Sequence, residues 1–477
     1  MKTVVLWSIF IFAKLACSKN AWEKNISAND LAEIEKKRSK TSIIVYDKNK
    51  LSDEDVDAEA KRIVEKCAEL SCPCEVIKLN KVGVLEVVWS CENHPSVDDL
   101  DFDTDQETGA EDELVDVLNA PPPTDPGFGE QWALSIPRLK NKADINIEEG
   151  WTEYMSDAQG GDPNGPSVVV AVIDTGVDYN HPDLKDVMWT NPDEVAGDGI
   201  DNDGNGIVDD VYGADFTWIT TGYGDPIDRH GHGTHCSGII AASPNNGKGI
   251  VGVASFTKGK VKIMALKGLS DSGSGTISGL LACLNYAIDK GAKISSNSWG
   301  GGWWIDSGNE QIWDRVLRNN LDHLFIAAAG NDYGFIDGVY FKPWTCGLKE
   351  PNLLCVASST ESDKRSYFSN YGKDYVHVFA PGSFILSTLP NNYYASWSGT
   401  SMACPQVSGL AALIMTMRDG MSGPDVRTII EENVQKKNQY ADLVSSGGLI
   451  DVGKTIKAVK LGGFLCNFRV NLLRSFI

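Results

Sequence analysis

Positive charge is scarce in this chain. Against 65 Asp and Glu stand 43 Lys and Arg, giving a formal charge of −22 over 477 residues. Such a surface repels phosphate backbones, which excludes nucleic acid as a partner. Long apolar runs are lacking too. One occurs near the start, Val4 to Phe12 behind Lys2, and it is too short for a comfortable bilayer span, so no integral membrane association is expected. Cysteine is sparse, 11 of 477 residues, which permits disulfides but excludes a fold built on them. No internal repeat is evident, which excludes a repeat array. Apolar residues themselves are plentiful at 42%, enough for a real core and too many for disorder throughout.

The early apolar run, followed by the small residues Ala16, Cys17 and Ser18, has the form of a secretory signal peptide over residues 1–18. A soluble, secreted, extracellular protein is expected, and its ten further cysteines suit an oxidising compartment. Cys67, Cys72, Cys74 and Cys91 cluster and are expected to pair among themselves. Cys346 and Cys355 flank one loop and are the best candidates for a local bridge. Asn25 heads an Asn-Ile-Ser glycosylation sequon.

Composition divides the remainder. Residues 19–100 carry strand-like runs at Ser42 to Tyr46 and Val82 to Trp89. Between them Ser52 to Leu70 shows apolar residues at helical spacing behind a Ser cap and three acids. That order suits a small α+β domain. Residues 101–127 continue an acidic run, in which Asp98 to Asp116 holds ten acids and no base, into Ala120-Pro121-Pro122-Pro123-Thr124-Asp125-Pro126. This segment reads as a solvated connector and a stiff linker. Residues 128–460 differ in texture. Buried-strand runs at Ser167 to Ile173, Val261 to Leu266, Leu324 to Ala329 and Leu353 to Ala357 alternate with helical patterns such as Thr276 to Lys290 and Met402 to Arg418. Short apolar strands alternating with helices predict an α/β domain, a parallel sheet with helices on both faces. Residues 461–477 form a tail.

In such sheets reactive residues gather at the carboxyl ends of strands. Three segments stand out there. Val168-Val169-Val170-Ala171-Val172-Ile173-Asp174 ends a buried run on a carboxylate, which is costly unless something pairs with it. His230-Gly231-His232-Gly233-Thr234-His235-Cys236 opens an apolar helix, and so does Ser398-Gly399-Thr400-Ser401-Met402-Ala403. A Ser where a Gly-rich turn enters a helix has backbone N–H groups facing an anion. Singly, a cap or a turn explains each.

Together, in the order Asp174, His232, Ser401, these motifs resemble the subtilase family of serine proteases over Gln131 to about Val459. The resemblance implies a subtilisin-like fold and a serine endopeptidase acting on protein or peptide substrates. Ser401 would be the nucleophile, His232 the general base and Asp174 its orienting partner, with His230 and His235 structural neighbours. Ala327-Ala328-Ala329-Gly330-Asn331 resembles the oxyanion motif, with Asn331 the donor. Asn297-Ser298-Trp299-Gly300 and Ser272-Gly273-Ser274-Gly275 resemble the two strands that flank an extended peptide, which makes Ser298, Trp299, Gly300, Gly273, Ser274 and Gly275 substrate-binding candidates. The family more often has Leu or Phe at the position of Trp299.

The resemblance also implies that the small early domain is a ferredoxin-like propeptide, an intramolecular inhibitor and folding aid, in a zymogen that cuts itself between about Asp101 and Gly127. A monomer is expected. Calcium is expected as cofactor at two places. Asp201-Asn202-Asp203-Gly204-Asn205-Gly206-Ile207-Val208-Asp209-Asp210 puts oxygen donors at alternate positions, with Asp201, Asp203, Asn205 and Asp209 the candidate ligands. Tyr212 stands where an EF-hand would place its closing Glu. Asp183 and Asn246 resemble side-chain ligands of the family's strong calcium site. Hard oxygen ligands favour Ca²⁺ over zinc.

Overall fold

The computed structural model describes residues 41–46, 53–69, 74–79, 84–89, 107–111 and 114–117. It then describes 127–461, except 135–142, 158–161, 163, 218–221, 301–306 and 338–344. The expected signal peptide, the Asn25 sequon and residues 462–477 lie outside the described residues.

The first elements are β1 (Thr41–Tyr46), α1 (Asp53–Glu69), β2 (Cys74–Leu79), β3 (Val84–Trp89), β4 (Glu107–Glu111) and β5 (Leu114–Val117). Four of them make an antiparallel sheet in the order β2-β3-β1-β4. Val56, Ile63 and Cys67 of α1, spaced for one helix face, are buried, as is Val87 of β3. Cys67 is bridged to Cys74 with a Cα–Cα distance of 5.8 Å, a pairing inside the expected cluster. The acidic stretch is not a bare connector. Glu107–Glu111 adds to β1 as an edge strand, so this small sheet runs past residue 100, and Leu114–Val117 joins a sheet of the following domain. Net charge set the expectation of a solvated linker. Strand pairing uses backbone groups, which every residue here supplies whatever its side-chain charge.

The large domain follows with α2 (Ile147–Met155), β6 (Val168–Asp174), β7 (Gly213–Asp215), α3 (His232–Ala241), β8 (Val261–Lys267), β9 (Ser274–Thr276), α4 (Ile277–Asp289), β10 (Ile294–Asn297) and β11 (Trp299–Gly300). It continues with α5 (Ser307–Arg318), β12 (Leu324–Ala328), β13 (Leu353–Ser359), β14 (Val378–Pro381), β15 (Ile385–Leu389), β16 (Tyr393–Trp397), α6 (Thr400–Met417), α7 (Gly423–Glu432), β17 (Gln435–Lys436) and β18 (Gly448–Leu449). A last helix covers 452–461. Nine strands form one sheet in the order β17-β18-β14-β13-β12-β10-β6-β8-β7, parallel except at the β17–β18 edge.

Period two in each central strand divides the core. Val168, Val170 and Val172 of β6, with Val261, Ile263 and Ala265 of β8, face a layer built from α2, α3 and α6. Ala171 and Ile173, with Met264 and Leu266, face α4 and α5. Helix starts follow their chemistry. Thr276 caps α4 by accepting from Gly279 N, and Ser422 with Asp425 makes a capping box on α7. The 18 residues of α6 are all buried, which places its first turn inside the molecule. Asp174 ends β6, Asn331 lies just past β12, and Ser298 sits between β10 and β11. These carboxyl-end positions bring residues far apart in sequence to one edge.

Candidate active site

Asp174 and His232 meet at this edge, both fully buried. His232 Nδ1 lies 2.8 and 2.9 Å from the two Asp174 oxygens, and Thr175 N donates to Oδ1 at 2.7 Å. The approach depends on Gly233. A Cβ there would stand 2.1 Å from Gly176 O and 3.0 Å from Asp174 Cβ, so a side chain would hold α3 off β6. With Nδ1 facing a carboxylate, the other ring nitrogen, Nε2, is buried without a hydrogen-bond partner. That is the state of an imidazole set up to accept a proton at Nε2.

Ser401 is the second residue of α6, at the end where the helix dipole is positive. Its Oγ donates to Ser298 O at 3.0 Å. Beside it, Asn331 is held by its oxygen: Thr400 N and Thr400 Oγ1 donate to Asn331 Oδ1 at 2.9 and 3.0 Å, and Gly330 N donates to Thr400 Oγ1 at 3.1 Å. Fixing Oδ1 fixes the amide. Nδ2 is then buried with no acceptor. A buried donor without a partner is costly, and such a donor beside a candidate nucleophile is a place for developing negative charge.

The neighbouring histidines differ. His235 stacks on Trp397 at 5.0 Å and hydrogen-bonds Ala395 O through Nε2, and burial lowers its pKa to about 3. His230 is lowered by burial and by His232. His232 is the one of the three whose ring nitrogen meets a carboxylate, which gives it the geometry of an oriented base. Cys236, a free thiol, donates to Ser401 O at 3.5 Å, and burial pushes its pKa well up, which keeps it an unreactive thiol.

Two contributors went unread in the sequence. Asp228, buried, accepts from Thr175 Oγ1, His230 N and Gly231 N on Oδ1, and from Thr234 N and Oγ1 on Oδ2. It fastens the start of α3 to the end of β6. Thr400 orients Asn331. The signal for Asp228 was present, an Asp four residues before His232 at a helix start. Nothing local marked Thr400.

The two flanking strands are in place. β5 lies between β9 and β11: Leu114, Val115 and Asp116 pair with Thr276, Gly275 and Ser274, while Val117 and Asp116 pair with Trp299 and Gly300. Gly273, at φ 83°, turns the chain into β9. Trp299 contributes backbone only. Its side chain is fully buried, donates Nε1–H to Ile173 O at 2.8 Å and packs on Trp313 and Phe325. The indole therefore belongs to the core and does not wall a pocket, as an apolar ring with one donor to satisfy does when a carbonyl is within reach.

Of the candidate metal ligands, Asp201, Asn205 and Asp209 serve the loop itself. Asp201 accepts from Gly204, Asn205 and Gly206 N, Asn205 Nδ2 donates to Asp210, and Asp209 accepts from Gly197 and Gly199 N. The carboxylates that converge are Asp203 with Glu194 and Asp210, whose oxygens lie within 4.8 Å of one another. Lys290 pairs with Asp203, and Glu194 Oε2 is buried without a partner. Asp183 and Asn246 do meet, Asn246 Nδ2 donating to Asp183 Oδ1 at 2.6 Å, with Ile250 N and Tyr394 OH on Oδ2.

The family model described as "Subtilase family" matches residues 165–448, which hold all four of these polar groups. The chain belongs to the subtilase family. It is 34% identical over 343 residues to "Subtilisin-like protease 1" of Plasmodium berghei (strain Anka), covering 69% of this chain and 53% of that one. To "Thermitase" of Thermoactinomyces vulgaris it is 37% identical over 276 residues, 57% of this chain and 82% of that one. To "Major intracellular serine protease" of Bacillus subtilis (strain 168) it is 32% identical over 306 residues, 63% and 81%. The chain spans about half the length of the Plasmodium relatives it matches. Among the described residues of this subtilase, no helix is long and apolar enough to cross a membrane.

Proposed function

We propose that this subtilase is a serine endopeptidase in which Ser401, His232 and Asp174 cleave peptide bonds and Asn331 stabilises the oxyanion. The observation that carries the reading is two unpartnered buried atoms, His232 Nε2 on the first residue of α3 and Asn331 Nδ2 beside Thr400 at the start of α6. The first accepts the Ser401 proton once Oγ turns from Ser298 O. The second donates to the oxygen of the tetrahedral intermediate, with the Ser401 N–H. Asp174 keeps the proton of the neutral ring on Nδ1 and stabilises the imidazolium, which then protonates the leaving amine. Labelling of Ser401 by a fluorophosphonate probe tests this. Labelling abolished by Ser401→Ala and by His232→Ala is the expected result, and an intact wild-type chain that takes no label would sink the reading.

We further infer a secreted zymogen, with the early α+β domain and β5 as its inhibitory segment. The support is that β5 adds to β9 and β11 by backbone pairing, the mode by which an extended peptide is held. Its last residue, Val117, pairs beside Ser298, so the bond delivered to Ser401 falls among Leu118 to Ala120. Purified Ser401→Ala protein is expected to keep its full length. Mature-sized product in that preparation would show another protease at work.

For calcium, the donor set fits. Glu194, Asp203 and Asp210 are hard oxygen ligands, and Glu194 Oε2 awaits a partner. These residues would hold the ion, whose contribution is structural, tying the loop to the sheet. Chelation is expected to lower Tm, and Glu194→Gln to reduce that sensitivity. Identical melting with and without chelator would remove calcium from the account.

A further inference from the structure

Lys267, the last residue of β8, is buried, with 4% of its surface exposed. It stands in register with Asp174 on β6 and with Asp215 on β7. Three charged side chains therefore share one face at the carboxyl ends of three neighbouring strands. That face is the one on which Val170, Val172, Ile263 and Ala265 meet α3. An ammonium taken out of water is costly, and an apolar side chain would fill the same strand position without that cost. The ammonium makes two contacts. Lys267 Nζ donates to Thr175 O and to Asp271 Oδ1, each at 2.7 Å. Asp215 serves its own turn, accepting from Thr217 N at 2.8 Å.

Both partners of Lys267 lead to the site. Thr175 has every polar group engaged. Its N–H donates to Asp174 Oδ1 at 2.7 Å, Oγ1 donates to Asp228 Oδ1 and accepts from Gly233 N, both at 3.0 Å, and its O accepts from Lys267. This one residue orients the Asp174 carboxylate and fastens the start of α3, which carries His232. Asp271 lies in the turn that enters β9. Gly273 N donates to Ser270 O at 2.9 Å and Ser270 N to Ser274 O at 2.8 Å, which closes the turn on the first residue of β9. β9 is the strand that pairs with β5 along the cleft. The backbone between is fastened as well, since Gly268 N and Leu269 N both donate to Asp174 O at 3.0 Å. One side chain and one short turn thus join the peptide strand to the residue that orients Asp174. Exposed ion pairs hold little, but the Lys267 end of this pair is sheltered, its side chain 5% exposed against 43% for Asp271.

We propose that Lys267 is a positioning residue that couples a peptide seated on β9 to the orientation of Asp174, through Asp271 on one side and Thr175 on the other. The inference rests on the reading of Ser401, His232 and Asp174 as a peptide-cleaving set with β9 as a peptide strand. Substrate contacts far from the scissile bond that are realised only in the transition state raise kcat and leave KM little changed. The test compares two p-nitroanilide substrates with the same residue before the bond, one carrying that residue alone and one carrying three more, enough to lie along β9. Rates are referred to sites titrated with a fluorophosphonate probe. In the wild-type enzyme the longer substrate is expected to have a kcat higher by about tenfold or more. Lys267→Met is expected to bring that ratio to within about twofold of one, and Lys267→Arg, which keeps a cation, to restore most of it. Asp271→Asn alters a half-exposed side chain and no core packing. It is expected to lose the ratio as Lys267→Met does, and it carries the test should the buried variant not fold. A wild-type enzyme without the length effect overturns the proposal. So does a Lys267→Met enzyme in which kcat falls by the same factor for both substrates, which makes Lys267 a structural residue only. A raised KM for the longer substrate with the kcat ratio intact overturns it too, and makes the Asp271 turn a binding element. A wild-type chain that neither takes the label nor cleaves either substrate sinks the protease reading and this inference with it, a failure distinct from the other three.

Discussion

Asn331 shows how one side chain is prepared by its neighbour. Both Thr400 donors occupy its oxygen, so its amide N–H is directed without any substrate present. Asn331→Ala is expected to lower kcat about 10²–10³-fold with little change in KM, the loss of about 2.7–4 kcal/mol that follows removal of an oxyanion donor. Steady-state kinetics on a peptide substrate checks the split; a rise in KM with kcat intact would make Asn331 a binding residue only. Asp228 works through stability. Five hydrogen bonds converge on it, and Asp228→Ala leaves buried donors unsatisfied at about 1–3 kcal/mol each. A fall in Tm of several degrees is expected, with weaker fluorophosphonate labelling as the start of α3 loosens. At this scale the sequence was legible where a motif is contiguous: His232 and Ser401 stand in runs whose glycines and helix starts announce them. Thr400 and the buried indole of Trp299 were not, because their partners, Asn331 and Ile173 O, are remote in the chain.

Between elements, Glu350 joins the end of α5 to α7. Arg318 Nε donates to its Oε1 at 2.9 Å, and Arg427 Nη1 donates to its backbone oxygen at 2.9 Å. Burial, with Asp314 alongside, pushes the Glu350 carboxyl up to about 7, from an ordinary value of 4.5. Because the folded value lies above the unfolded one, its contribution to stability is complete below about pH 4.5 and is lost as pH rises through about 7. Glu350→Gln is expected to flatten the pH dependence of urea unfolding between those values. A variant whose profile overlays the wild type would refute the assignment. Periodicity read the elements well: the helix expected over Thr276 to Lys290 is Ile277–Asp289, and the strand expected over Val261 to Leu266 is Val261–Lys267. The strands Glu107–Glu111 and Leu114–Val117 were not legible. Their order comes from the edges they meet and not from their own side chains.

For the molecule as a whole, acid sensitivity has an identifiable source. Burial lowers His235 to about 3 and His377 well below the usual range. A histidine depressed in the fold binds fewer protons than it does unfolded. Its contribution is complete above about pH 6.5 and is lost as pH falls toward the folded value. Tm is therefore expected to fall steadily from pH 6.5 to 4, against the smaller opposite trend from Glu350. Thermal melts across that range check the sign, and a Tm that climbs on acidification would contradict it.

The sequence alone determined the alternation of strands and helices, the motifs around Asp174, His232 and Ser401 and the local Cys346–Cys355 bridge. Each of these is written in neighbouring residues, through side-chain period, turn glycines or short loop closure. Only the tertiary structure decided that Asp228 and Thr400 brace the site, that Glu194 and Asp210 join Asp203, and that an acidic stretch becomes β4 and β5. In each case the partner is remote in the chain. Buried polar groups and backbone edges must find acceptors and donors somewhere, and the sheet's crossovers settle which ones lie within reach.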